Sequence, residues 1–127
     1  AGFPRVTGVE VSSGAISSAI SAARHAGLSR SAASFIADDA TAWARAQSPE
    51  DVPDVIVVNP PRRGIGADLA AYLNKCDAPR VIYSSCNPAS LATDLAAMPT
   101  LRPIEGRLFD MFPHTTHTEV ALLLERA

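Results

Sequence analysis

The sequence predicts an α/β fold, a sheet of mostly parallel strands that ends in an antiparallel hairpin, and three observations carry that prediction. Short apolar runs alternate with helix-spaced segments along most of the chain, the order expected when each strand returns through a helix. Asp54-Val55-Ile56-Val57-Val58-Asn59 is a continuous β-branched run, the pattern of a strand covered on both faces, and is expected at the centre of the sheet. The last two strand-like runs, about Arg102 to Asp110 and Glu119 to Leu124, have no helical segment between them and read as a hairpin.

Taken in order, Ala1 to Arg5 holds Gly2 and Pro4 and reads as a ragged entry, and Val6 to Val11 as a short strand. Ser12 or Ser13 can cap the following helix, in which Ile16, Ala19, Ile20 and Ala23 recur at helical spacing and whose end is marked by Gly27. Ala33 to Ala37 is the second strand, closed by Asp38-Asp39, and Ala40 to Ala46 a short helix carrying the only tryptophan, Trp43. Ser48 to Pro53, with two prolines and two acids, reads as a loop. After the β-branched run, Pro60-Pro61-Arg62-Arg63-Gly64-Ile65-Gly66 breaks regular structure, and Leu69, Tyr72, Leu73 and Cys76 then mark one helical face, turning Cys76 into the core. Arg80 to Ser84 is the next strand. Pro88 to Met98 is the next helix, with Leu91, Leu95 and Met98 on its inner stripe.

Composition narrows the class. A chain of 127 residues, 47% hydrophobic, has room for one modest domain, here 1–127, with a real core. Two cysteines, Cys76 and Cys86, are too few for a disulfide framework. No apolar run approaches the roughly 20 residues of a membrane helix, and no leader-like segment opens the chain, so the reading is a reducing cytoplasm and no membrane. The net charge of −2 gives no general attraction to nucleic acid, which leaves such binding to local groups, Arg62 and Arg63 among them.

Ligands of open α/β sheets bind beyond the carboxyl ends of the strands. Glu10, Asp38, Asp39, Asn59 and Cys86 all fall at or just past such ends, whereas solvent-seeking polar residues would scatter over both ends. Singly, each has a plainer reading. Glu10 can simply face water, or can accept from ribose hydroxyls; Asp38 and Asp39 precede a helix and suit N-capping. Two prolines after Asn59 stiffen the strand exit and aim carbonyls and the amide into a cleft, a ligand-contacting arrangement.

Cys86 sits just ahead of Asn87, a good N-cap, and Pro88, suited to the first helical turn. A thiol at a helix mouth lies near unpaired backbone N–H groups that favour the thiolate, the nucleophilic form. Its plain alternative is a packing cysteine. His114, His117 and Glu119 could suggest a metal site, but the spacing is not that of a zincin helix, and the histidines read better as hydrogen-bonding groups in a loop. Glu119, partly desolvated by Met111, Phe112 and Pro113, reads as a base.

Three stretches, Val58-Asn59-Pro60-Pro61-Arg62-Arg63-Gly64, Tyr83-Ser84-Ser85-Cys86-Asn87-Pro88, and Phe109 through His114 and His117 to Glu119, resemble three consecutive motifs of the RNA 5-methyluridine methyltransferases. These are S-adenosylmethionine-dependent uracil-C5 enzymes of tRNA and ribosomal RNA, and the Asn59 form with Arg62 to Gly66 is most similar to the bacterial 23S ribosomal RNA branch. The resemblance implies a Rossmann-like class I methyltransferase sheet with a C-terminal antiparallel hairpin. It implies Cys86 as the nucleophile toward carbon 6 of uracil and Glu119 as the base that removes the carbon-5 proton. Glu10 matches the acid that holds the cofactor ribose, Asp39 a position near the adenine, and Asn59 a contact to the methionine end or the target base. Arg62 and Arg63 would meet phosphates of an RNA partner whose target nucleotide is flipped from its stack.

Against that pattern, the chain lacks the first strand and its Gly-rich loop, and reads as the C-terminal part of a methyltransferase domain. An OB-like module, and any iron–sulfur cluster, would belong to a missing N-terminal region. Alone, the fragment is expected to be inactive and to bind cofactor weakly, and its two unpaired inner strand edges to re-pair directly or to join between copies in a strand-mediated dimer. Two other readings stand beside this one. Asn-Pro-Pro also resembles the grip of amino-methyltransferases on an exocyclic amine, although an aromatic usually stands where Arg62 does. A non-catalytic scaffold or binding fragment is the alternative from another class.

Overall fold

The computed structural model describes residues 5–110 and 118–127. The entry segment around Gly2 and Pro4, and the stretch from Met111 to His117, lie outside the described residues. The chain divides into two compact units, Ala1–Ala46 and Gln47–Ala127.

In the first unit, β1 (Val6–Glu10) pairs in parallel with β2 (Ala33–Ala37), Glu10 standing opposite Ala37. Between them runs α1 (Ser13–His25), which starts where Ser12 accepts from the Ala15 N–H at 3.2 Å and stops before Gly27, whose φ of +76° only glycine adopts at little cost. Ile16 is its buried residue. The short helix α2 (Ala40–Arg45) follows, capped by Asp39, and buries Ala44.

The second unit is a four-stranded sheet in the order β3 (Val55–Val58), β4 (Arg80–Ser85), β6 (Glu119–Arg126), β5 (Leu101–Phe109). β3 and β4 are parallel, and β6 runs antiparallel to both β4 and β5. The expected hairpin is therefore present, with its second strand placed inside the first. The helices α3 (Ala67–Lys75) and α4 (Pro88–Ala96) supply the apolar cover. Along β4 the side chains alternate: Val81, Tyr83 and Ser85 are buried, while Ile82 and Ser84 are half-buried on the opposite face. Val81 and Tyr83 join Ala70, Leu73, Leu91, Met98, Leu101 and Leu124 in one core, each large side chain contributing about 1.5–3 kcal/mol on burial. Cys76 packs against this core, as its place on the helical stripe predicted.

Arg126 ties the end of α3 to the sheet. Its Nη1 donates to the carbonyls of Leu73 and Asn74 at 3.0 and 3.1 Å, and its Nη2 to the carbonyl of Ala78 at 2.9 Å, so a cation satisfies acceptors that the helix leaves open at its C-terminus.

Four sequence expectations are corrected. The β-branched run forms β3, yet β3 is an edge strand of its sheet and β4 and β6 are the inner ones. Val57 is accordingly 65% exposed, because a continuous apolar run records the capacity for two covered faces and not the presence of the second cover. Direct re-pairing of the inner edges does not occur among the described residues: β1 pairs only with β2, and β3 only with β4. Ser48 to Pro53 contains one 3₁₀ turn, Pro49–Asp51, closed by the Asp51 N–H on the Ser48 carbonyl at 2.9 Å. Finally, α4 ends at Ala96, and Met98 is buried from the turn beyond it.

Candidate active site

In the first unit Glu10 and Asp39 are brought to one end of the strand pair. Glu10 is the last residue of β1 and exposed, and its carbonyl accepts from the Asp38 N–H at 3.0 Å. Asp39 Oδ1 accepts from the Ala42 N–H at 2.9 Å, so capping employs one of its oxygens, and Asp38 Oδ1 accepts from the adjacent Asp39 N–H at 2.7 Å.

In the second unit Asn59 follows β3 directly and is exposed, and Cys86 follows β4. The strands are parallel, so both residues leave the sheet at the same end. Cys86 is a free, half-buried thiol. Its turn is fixed by the neighbouring hydroxyl: Ser85 Oγ accepts from the Asn87 N–H at 3.1 Å and donates to the Asn87 carbonyl at 3.0 Å. Asn87 caps α4 through the Ala89 N–H, with Pro88 in the first turn, as the sequence predicted.

Glu119 opens β6. The β4–β6 ladder runs to Ser85 opposite Val120, so one step further along each strand brings Cys86 and Glu119 to the same strand end. Ser84 Oγ donates to Glu119 Oε1 at 3.0 Å, which fixes the carboxylate beside the end of β4. The side chains of Met111, Phe112 and Pro113, expected to desolvate Glu119, and those of His114 and His117, weighed for a metal site, lie outside the described residues.

Arg62 and Arg63 are exposed at the corner of a turn that the Gly64 N–H closes on the Pro61 carbonyl at 2.9 Å. Asn87 Nδ2 donates to the Arg62 carbonyl at 2.9 Å, joining this turn to the residue after Cys86. Beneath it lies a polar cluster that sequence reading missed. Asp94 Oδ2 accepts from the Ile65 N–H at 2.9 Å and from the Tyr83 hydroxyl. Burial, with the hydrogen bond to Asp94 and its negative charge, pushes that hydroxyl far above the ordinary tyrosine value, so Tyr83 is a constant donor. The available signal was an acid at 94 on the stripe of Leu91, Leu95 and Met98, where an unpaired carboxylate would be costly.

The fold is α/β with a mixed sheet, and its structural neighbours are Rossmann-like S-adenosylmethionine-dependent methyltransferases. Over 94% of this chain and 28% of the other, the structure matches that of the Pyrococcus abyssi tRNA (uracil-54, C5)-methyltransferase in complex with S-adenosyl-L-homocysteine, with a TM-score of 0.79 and 30% identity. The fold is also that of TrmN from Thermus thermophilus, with a TM-score of 0.64 at 21% identity over 97% of this chain and 36% of the other. Residues 51–127 match the family model of the tRNA (uracil-5-)-methyltransferases, and the chain belongs to that family. It is 45% identical over 123 residues to the 23S rRNA (uracil(747)-C(5))-methyltransferase RlmC of Pectobacterium atrosepticum, a match covering 97% of this chain and 32% of the relative. The chain thus spans about a third of the length of the relatives it matches.

Proposed function

We propose that the protein carrying this chain transfers a methyl group to carbon 5 of a uridine in RNA, of the ribosomal 23S class, through a covalent adduct on Cys86. The single observation that carries the reading is the meeting of Cys86 and Glu119 at one end of the β4–β6 pair, with Ser84 holding the carboxylate. Carbon 5 of uracil is a poor nucleophile. Cys86, as thiolate, adds to carbon 6 and pushes the ring electrons to carbon 5, which takes the methyl group. Glu119 then accepts the carbon-5 proton, the ring double bond re-forms, and Cys86 leaves with its electron pair.

S-adenosylmethionine, when bound, would supply the electrophilic sulfonium methyl, the electron pair of the broken S–CH3 bond staying on sulfur in the departing S-adenosylhomocysteine. Glu10 is proposed to accept from ribose hydroxyls, Asp39 to lie near the adenine with the carboxylate oxygen not engaged in capping, and Asn59 to contact the methionine end or the target base. An exposed carboxylate ending a parallel strand is an acceptor of the kind that ribose hydroxyls require. Arg62 and Arg63 are proposed to pair with RNA phosphates beside a flipped nucleotide. By themselves the 127 residues are proposed to be inactive and to form the C-terminal part of the methyltransferase domain; the third of the relatives' length that they span supports only that they are a part.

The test is nucleoside analysis of 23S ribosomal RNA after incubation with the full-length protein and isotopically labelled methyl donor. Label in 5-methyluridine is the expected result. Label in an N-methylated base would favour the amino-methyltransferase reading of Asn59-Pro60-Pro61 instead.

A further inference from the structure

We propose that Asp94 is the positioning residue of the arginine turn, the group that holds Pro61–Gly64 in place so that Arg62 and Arg63 present their charges to RNA next to Cys86. The proposal rests on the reading of those arginines as RNA contacts. Asp94 is 5% exposed, on the α4 stripe it shares with Leu91 and Leu95, next to Met98 in the turn beyond. A stripe position that only packed would be apolar, because a buried carboxylate is tolerated only when hydrogen bonds replace its water.

Both donors that replace that water converge on one oxygen. The Tyr83 hydroxyl reaches Asp94 Oδ2 from β4, and the Ile65 N–H reaches it from the loop at 2.9 Å. Gly64 lies directly against the same carboxylate. Its φ is +87°, and a Cβ added there would stand 2.5 Å from Oδ2, so the loop backbone seats on the acid with no side chain between. Asn87 supplies a second tie through the Arg62 carbonyl. The Arg62 carbonyl, the Gly64 N–H and the Ile65 N–H are therefore all fixed, while the two guanidinium side chains at the corner remain exposed. The geometry is that of a fixed pedestal under two exposed charges, registered to the Cys86 turn on one side and to α4 on the other. Two exposed arginines in an unsupported loop would lose ordering entropy on meeting phosphates; fixing their backbone beforehand removes part of that cost.

The test compares Asp94→Asn, Asp94→Ala and an Arg62→Ala/Arg63→Ala double variant in the full-length protein. It reads hydrogen exchange of the Ile65 amide, affinity for a single-stranded oligouridine RNA, and affinity for S-adenosylhomocysteine. In Asp94→Asn, which keeps the shape and therefore the fold, Ile65 is expected to exchange about tenfold faster while the Val81 amide stays protected. Oligouridine affinity is expected to fall about fivefold, toward the double variant, with cofactor-product affinity unchanged. Unchanged Ile65 exchange overturns the proposal. So does undiminished RNA affinity with Ile65 released, and so does a parallel loss of S-adenosylhomocysteine affinity, the mark of a merely structural acid. Wild-type RNA affinity in the arginine double variant would instead overturn the assignment of the arginines, and the proposal with it, a result distinct from failure of the Asp94 variants alone.

Discussion

Ser84 and Glu119 are joined across the β4–β6 pair by a hydrogen bond of 3.0 Å, the hydroxyl donating to Oε1. In the proposed reaction Glu119 acts only after the methyl group has arrived, so its carboxylate must stand still while the ring beside it changes shape. Ser84→Ala frees the carboxylate without touching Cys86. The expected outcome is about a tenfold fall in kcat in the full-length protein, part of the roughly 10²–10⁴ that a positioned base supplies, with little change in RNA affinity. Glu119→Gln should go further and accumulate methylated RNA still bonded to Cys86, because addition and methyl transfer precede the missing proton removal. Denaturing gel electrophoresis of the RNA–protein complex checks this.

Gly64→Ala should destabilise the second unit. The backbone at φ +87° is costly for any residue with a Cβ, and the new methyl would enter the space of Asp94 Oδ2 at 2.5 Å. Loss of at least about 2 kcal/mol in urea unfolding is expected, from strain and from displacement of a buried carboxylate together. Gly66, also at positive φ but with open space around its added Cβ, should lose less on the same substitution.

Tyr83 should contribute an alkaline decline in stability. Its hydroxyl stays protonated in the folded protein well above 10.0, the ordinary value, because of burial and then Asp94. The folded state therefore keeps a proton that the unfolded chain releases. The stabilisation is fully present below pH 10.0 and is lost as pH rises from there toward the folded value. Tyr83→Phe should flatten this alkaline decline in urea unfolding measured at successive pH values. A residual slope is expected from Tyr72, raised for burial and for the neighbouring Cys76.

The elements were legible in the sequence because each carried its own local signal: Ser12 or Ser13 and Asn87 as caps, Gly27 as a stop, and the stripe of Leu69, Tyr72 and Leu73 on α3 with Cys76 at its end. The strand-end polar residues were legible for the same reason, since their positions follow from where strands stop. What escaped was decided between elements. That β6 lies inside β5, and that β3 is an edge, depends on pairings that no single run encodes. Neither Ser84 nor Asp94 was singled out in the sequence, because the groups that give them a task, Glu119 for the one and Tyr83 with Ile65 for the other, stand on other elements.

The most direct test of the account is mass spectrometry of the full-length protein after incubation with S-adenosylmethionine and RNA carrying 5-fluorouridine at the target. Fluorine on carbon 5 cannot leave as a proton does, so the adduct should persist and a peptide bearing the methylated fluorinated nucleotide on Cys86 should be found. Active enzyme that yields no adduct, or an adduct on any residue other than Cys86, would contradict it.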